Sequence, residues 1–267
     1  MPFGGLLGDA LLAGSCIAVA TGVIGYFVVL RVQVFAGDAL SHVAFTGALA
    51  AAAAGLDLRV GLFAATVAVA LLLATIGPSS RRARADDVTI GIVFVWVLGV
   101  GVLFLDLFNA GGSGANGTIA ARTLFGSIFS LTAGEAQLAA LLGVAIVAAV
   151  LAIGRPLLFA SIDAPLAVAG GVPVRALGFA FLVLLGLDAA EATQAVGALL
   201  LLGLLAAPAA AALRLTANPY RGMALSASIA LGAMWAGLAL AYWVPSLPPG
   251  SAVILTALAF YALTIVV

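Results

Sequence analysis

Long apolar runs separated by short polar segments make up almost the whole chain. A helix needs roughly 20 mostly apolar residues to cross the hydrocarbon core of a bilayer. By that measure the chain contains eight or nine candidate spans, because the stretch 174–215 reads either as one interrupted pair or as two tight neighbours. The nine-span version comprises residues 9–30, 36–54, 60–77, 88–106, 135–154, 175–190, 195–213, 222–244 and 251–267. No run alternates apolar and polar residues with a period of two, so the pattern predicts an all-α polytopic membrane protein rather than a membrane β-barrel.

The composition agrees with this prediction. Of 267 residues, 65% are hydrophobic and 7% are charged, whereas a soluble domain typically carries about 25% charged residues. Ten arginines, ten acidic residues and no lysine give a formal net charge of zero, and no basic run indicates a nucleic-acid partner. The single cysteine, Cys16, excludes an intrachain disulfide and a multi-cysteine metal site. Soluble, disordered and nucleic-acid-binding classes are therefore excluded.

The arginines predict the orientation of the spans. Three of them lie in the loop at 78–87, and the positive-inside rule places that loop in the cytoplasm. Counting spans from this loop puts eight of the ten arginines inside and only Arg59 and Arg122 outside. The same count predicts an external N-terminus, an internal C-terminus and a cytoplasmic connection at 155–175.

Asp38 and His42 are the first candidate functional pair. Ionisable side chains within spans cost about 2.5–3.5 kcal/mol each on insertion scales, so they are functional candidates by default. His42 is the only histidine in the chain, and it lies four residues after Asp38, on the same face of a helix. A carboxylate and an imidazole can ligate a divalent transition metal, with the open positions filled by water, another helix or a second copy of the chain. The alternative is a charge-assisted hydrogen bond that only stabilises the helix.

A second polar group lies between the sixth and seventh predicted spans. Asp188, Glu191 and Gln194 are spaced i, i+3, i+6 and share roughly one helical face. One interpretation is a carboxylate-lined entrance or gate that attracts cations from outside. The other is a solvated external turn, because Asp188 ends one apolar run.

The longest internal connection, 155–175, contains a candidate short helix. Asp163 stands near its start and Gly170 and Gly171 at its end, which are typical helix start and stop signals. A short helix lying flat at the cytoplasmic face would be a docking surface for another protein, and the alternative is a plain connecting loop. The sequence contains no P-loop or other nucleotide-binding motif. The chain is therefore not predicted to be an enzyme, and any ATPase would be a separate chain.

Five motifs, taken together, resemble a known family. The run LRVQVFAGDALSHVAFTGALA at 30–50 resembles the "gDalsHa.lpG" signature of the zinc/manganese/chelated-iron ABC importer permeases. Four further matches follow in family order: RADDVTIGIVF (84–94), LFGSIF (124–129), SIDAPLAVAGGVPV (161–174) and QAVGALLLLGLLAAPAAAA (194–212). Ordered matches across residues 30–212 are far more specific than any single motif.

The resemblance implies a type II ABC importer permease, with one permease domain over 1–267 in the plasma membrane. Members work as homodimers in the lipid bilayer, with two cytoplasmic ATPase subunits below and an extracytoplasmic metal-binding protein above. The family's in-membrane aspartate and histidine correspond to Asp38 and His42. Its coupling helix, which seats in the ATPase, corresponds to about 161–172. The coupling residues are Asp163, Ala164, Pro165, Ala169, Gly170 and Gly171. Asp188 and Glu191 depart from the family pattern, which is usually aliphatic or small there.

The cargo is the least determined part of the prediction. The family implies manganese, zinc or iron as a transported ion and no permanently bound cofactor. Because no thiolate is available beside the carboxylate and the imidazole, the donor set favours manganese over zinc. One alternative is a siderophore- or cobalamin-type ABC permease, whose motifs fit less well. Another is a secondary transporter driven by an ion gradient, for which inverted repeats would be expected.

Overall fold

The computed structural model describes residues 3–76, 83–110, 123–126, 128–244 and 246–266. Side chains are described within these ranges except at 3–7, 83–86 and 108–110. The helices are α1 Phe3–Leu30, α2 Val34–Ala53, α3 Leu58–Ile76, α4 Ala83–Ala110, α5 Ala133–Ile162, α6 Ala164–Ala169, α7 Val174–Val196, α8 Leu201–Leu215, α9 Pro219–Trp243 and α10 Pro249–Val266. A 3-10 turn, Ile128–Ser130, precedes α5.

Within the described residues, eight helices are long and apolar enough to cross a membrane. They are α1, α2, α3, α4, α5, α7, α9 and α10. Helix α8, Leu201–Leu215, is apolar but shorter than the roughly 20 residues that a full span needs. The predicted total of eight or nine spans is therefore confirmed, and α8 is the element that made the count ambiguous.

Three predicted boundaries are wrong. Helix α5 continues through Arg155 to Ile162, past the predicted end at 154 and into the predicted connection 155–175. Helix α7 continues to Val196, and the break before α8 lies at 197–200 rather than after residue 190. Helix α4 begins at Ala83, inside the loop predicted at 78–87. The earlier part of that loop, 78–82, lies outside the described residues. All three helices extend through charged residues that lower the local hydropathy, so apolar runs alone underestimate their lengths.

Side-chain caps account for several helix starts. At the start of α5, the Thr132 side chain accepts a hydrogen bond from the Glu135 N–H, and the Glu135 carboxylate accepts one from the Thr132 N–H at 2.7 Å. This reciprocal capping box satisfies backbone donors that an unmodified helix end leaves free. At α9, the Asn218 side chain accepts from two backbone N–H groups of the first turn, and Pro219 occupies the first helical position.

Small residues allow the helices to pack closely. Gly47 of α2 and Gly61 of α3 face each other so closely that a Cβ added to either would collide with the carbonyl oxygen of the other. Gly25 of α1 has the same relationship with the carbonyl of Leu205 in α8. Such contacts are the usual basis of helix association in lipid, where apolar burial provides little drive.

Helix α2 lies in the packed centre of the protein. In the apolar windows of α1 and α2, 72% of the residues are buried, against 17% in α4. Helix α2 packs on α3, α4 and α7, while α4 presents most of its apolar surface outward. The candidate pair Asp38 and His42 is therefore positioned by a helix that neighbouring helices hold on several sides.

Candidate metal pathway

Asp38 and His42 lie one turn apart in the first half of α2, which the predicted orientation places toward the cytoplasm. Both side chains are half-buried, whereas the intervening Ala39, Leu40 and Ser41 are buried. The helix thus turns its small and apolar residues into the bundle and leaves the carboxylate and the imidazole partly accessible at its edge. This arrangement places the two candidate ligands on one face, as their spacing predicts.

Phe94 of α4 contacts His42. The two ring centroids are 5.2 Å apart at an interplanar angle of 68°, an edge-to-face arrangement. Phe94 also packs against Phe35, one helical turn before Asp38, at 5.7 Å and 67°. Sequence reasoning missed this residue, although Phe94 is the last residue of the second matched motif. Its role depends on the crossing of α2 and α4.

The break between α7 and α8 lies against the same segment of α2. The Ser41 hydroxyl is 2.7 Å from the carbonyl oxygen of Asp38 and 3.0 Å from that of Ala198. Gly197 follows α7 with a φ of +101°, a backbone conformation that residues other than glycine rarely adopt. The GDALSH and QAVGALL motifs, far apart along the chain, therefore meet beside the candidate pair.

The described part of the chain supplies few metal donors. Across the described part of the chain, no group of three or more His, Cys, Asp and Glu side chains is placed to hold a metal ion. A carboxylate and an imidazole on one face leave most coordination positions of a divalent ion to other donors.

Asp188 and Glu191 are buried inside α7, with 1% and 3% of their surfaces exposed. The interpretation of these residues as a solvated external turn is therefore wrong. Asp188 Oδ1 accepts a hydrogen bond from the Thr21 hydroxyl of α1 at 3.2 Å. Its Oδ2 is buried and has no hydrogen-bond partner among the described residues. A carboxylate in this position is costly, so it is a functional candidate by default.

Arg59 connects three helices near the same end of α7. Its Nε donates to Gln194 Oε1 at 2.9 Å and lies 3.7 Å from Glu135 Oε1. Arg59 lies in the first turn of α3 and Glu135 in the first turn of α5. The guanidinium therefore connects the starts of both helices to the end of α7. Sequence analysis placed Gln194 on the face of the two acids but did not identify Arg59 as its partner.

A cavity of about 430 Å³ opens beside this network, on the side that the arginine count predicts to be external. Its polar lining includes Asp57, Arg59, Glu135 and Gln194. The remaining lining residues are Ala48, Leu58, Leu62, Thr123, Ser130 and Leu131. Asp188 and Glu191 do not line the cavity and lie deeper in the bundle.

The predicted short helix in the internal connection is present, so the plain-loop alternative is wrong. Asp163 caps it through a hydrogen bond from the Leu166 N–H to Oδ1 at 2.9 Å. The helix covers Ala164–Ala169, shorter than the predicted 161–172, and ends at Gly170. Gly171, with φ of +79°, then turns the chain toward α7. The two glycines act as the stop signal that the sequence indicates.

Comparison with known proteins identifies the family of the chain. The model of the ABC 3 transport family matches residues 5–267. The chain belongs to the ABC 3 transport family. This member is 29% identical over 258 residues to the manganese import system permease protein ScaB of Streptococcus parasanguinis, covering 97% of this chain and 89% of that protein. It is 28% identical over 259 residues to the manganese transport system membrane protein MntC of Halalkalibacterium halodurans, covering 96% and 85%.

A solved structure shares the fold. PsaBC from Streptococcus pneumoniae, in complex with Fab, superposes with a TM-score of 0.83 at 28% sequence identity, covering 97% of this chain and 91% of that chain. The predicted family, the all-α class and the ABC importer permease architecture are confirmed. This ABC 3 family member is a multi-pass permease of the plasma membrane.

Proposed function

We propose that this ABC 3 family member is the permease of an importer that moves a divalent transition metal, manganese first among the candidates, into the cytoplasm. The observation that carries the proposal is the partly accessible Asp38–His42 pair on a helix held at the centre of the bundle. The similarity to proteins named as manganese permeases supports the choice of cargo.

Asp38 and His42 hold the ion transiently during transport. Two copies of the chain supply two carboxylates and two imidazoles, which completes a ligand set that one protomer lacks. The available donors are oxygen and imidazole nitrogen, without a thiolate, and this set suits manganese better than zinc. Binding has to be weak enough to release the ion inward. Zinc and iron are the competing cargoes. Measuring the uptake of each ion, alone and in the presence of manganese, distinguishes among the three.

The partners follow from the two faces of the protein. We assign α6 to the docking of cytoplasmic ATPase subunits. Leu166 and Val168 of this helix each expose 57% of their surface, although a cytoplasmic connection would ordinarily expose polar residues. ATP hydrolysis then takes place in the partner chain. An extracytoplasmic metal-binding protein delivers the ion at the opposite face, and the transporting unit is a homodimer in the lipid bilayer.

We assign Asp188 and Glu191 to a cation-attracting gate behind the outer cavity. Together with Asp57 and Glu135, which line the cavity above them, they place four carboxyl groups along the path of an entering cation. A low-dielectric wall focuses the field of the ionised carboxyl groups more than an exposed loop would. Arg59 partly offsets this charge and keeps the helix ends together.

The decisive experiment is uptake of radioactive manganese by proteoliposomes that contain the complete transporter. Asp38→Ala and His42→Ala are each expected to abolish uptake while the complex still assembles. Asp106→Asn removes an exposed carboxylate of α4 and is the matched control, expected to transport normally. Normal transport in both Asp38→Ala and His42→Ala would refute the assigned role.

A further inference from the structure

The corner between α1 and α2 is short, and backbone hydrogen bonds hold it. The Val32 N–H donates to the Val29 carbonyl at 3.1 Å, and the Gln33 N–H donates to the Val28 carbonyl at 2.8 Å. This is the Schellman pattern of helix termination. Gln33 then immediately precedes α2 as its N-cap residue. Since no flexible linker separates the two helices, a displacement of the end of α1 moves the start of α2.

The Arg31 side chain extends from this corner toward two other helices. Its Nη1 donates to the Ser161 hydroxyl of α5 at 3.5 Å. Its Cζ lies 5.1 Å from the centroid of the Phe181 ring in α7, a cation–π contact. Its Nε donates to Gln33 Oε1 at 3.1 Å, which fixes the guanidinium to the corner itself.

The helices that Arg31 contacts are the two joined directly to α6. Helix α5 ends at Ile162, one residue after Ser161, and α7 begins at Val174, two turns before Phe181. Any movement imposed on α6 is therefore passed to α5, to α7 or to both. Arg31 contacts each of them and lies seven residues before Asp38.

We propose that Arg31 is a positioning residue that transmits movement of α6 to α2 and thereby controls when Asp38 and His42 bind or release the ion. The inference rests on the proposed function. A guanidinium suits this task because its planar face stacks on a ring while its edge donates hydrogen bonds. Lysine retains the charge but loses this combined geometry.

The test uses the complete transporter in proteoliposomes, with manganese uptake and ATP hydrolysis measured together. In Arg31→Gln the number of ions moved per ATP is expected to fall by about fivefold or more, the lower range of measured couplings between sites. Assembly and ATP hydrolysis are expected to be retained. The ion-to-ATP ratio of Arg31→Lys should lie between that of Arg31→Gln and that of the unmodified protein. The control is Arg214→Gln, an exposed arginine in the last turn of α8, which leaves the ratio unchanged.

The outcomes separate this inference from the proposed function. If the unmodified transporter moves no metal, the proposed function fails and the inference fails with it. If it transports and Arg31→Gln keeps the normal ion-to-ATP ratio, only the role of Arg31 is overturned. If Arg31→Gln does not assemble, the double variant Ser161→Ala, Phe181→Leu removes both contacts while keeping the arginine. A lowered ratio in that variant supports the inference, and an unchanged ratio overturns it.

Discussion

Phe94 and His42 meet edge to face across the α2–α4 contact, with 5.2 Å between their ring centroids. Phe94 packs on Phe35 as well, so its ring is held by two residues of α2 that flank Asp38. An aromatic pair of this kind contributes about 0.5–1.5 kcal/mol beyond its buried area. Helix α4 therefore restricts the imidazole to a narrow set of orientations next to the carboxylate.

Removal of this restraint should weaken metal binding. In Phe94→Ala, the manganese concentration for half-maximal uptake is expected to rise roughly threefold to tenfold, since the lost contact is worth about 0.5–1.5 kcal/mol. The maximal rate changes little, because both ligands remain. Phe94→Tyr keeps the ring and is the control. Equal half-saturation values in Phe94→Ala and Phe94→Tyr would show that the contact does not orient His42.

The buried carboxyl groups of α7 are expected to affect the manganese concentration that uptake requires. The double variant Asp188→Asn, Glu191→Gln replaces two carboxyl groups by amides with little change in volume. If these carboxyl groups attract cations, half-maximal uptake in the double variant should require roughly three to ten times more manganese, while uptake at saturation stays the same. Asp106→Asn is the control for loss of an exposed acidic charge.

Thermal unfolding of the same variants excludes a general loss of structure. The amide oxygen that Asp188→Asn introduces can still accept the hydrogen bond from Thr21, so the unfolding temperature of this variant should stay close to that of the unmodified protein. An unchanged half-saturation value in the double variant would rule out the gate and leave the two acids with a structural role.

Metal binding should also weaken in acid. An imidazole has to be neutral and a carboxylate ionised to ligate a metal, so protonation of His42 removes a ligand. Manganese bound by the purified permease is expected to fall as the pH is lowered from about 7.5 to about 5.5. His42→Gln keeps a polar side chain that does not titrate, and its weaker binding should depend less on pH over this interval. Equally steep profiles for both proteins would exclude His42 as the titrating ligand.

The sequence was sufficient for features that depend on local signals. Asp163 and the glycines after Ala169 act on their own backbone neighbourhood, and these local signals mark the start and end of α6 more closely than the range 161–172 that the resemblance implies. The spacing of Asp38 and His42 likewise needs only helical geometry. Composition and run length determined the class and limited the number of spans to eight or nine.

Features that depend on contacts between distant helices could not be predicted in this way. Asp188 resembles the end of a span in a hydropathy profile, because the profile does not include Thr21, which donates to it from α1. The pairing of Arg59 with Gln194 and that of Phe94 with His42 join residues more than 50 positions apart. These contacts decide which polar groups are buried, and they cannot be predicted from local sequence patterns.

Val32 offers a test of the corner's backbone geometry by a gain in stability. Its φ of +56° is left-handed, which costs an L-residue about 1–2 kcal/mol, at a position of the Schellman motif usually filled by glycine. Val32→Gly removes this strain but adds about 0.5–1 kcal/mol of chain entropy cost. The net gain, up to about 1.5 kcal/mol, should raise the unfolding midpoint in detergent by up to about 3–6 °C. Val88→Gly, at an exposed site within α4, should lower the midpoint, and a decrease in both variants would contradict strain at Val32.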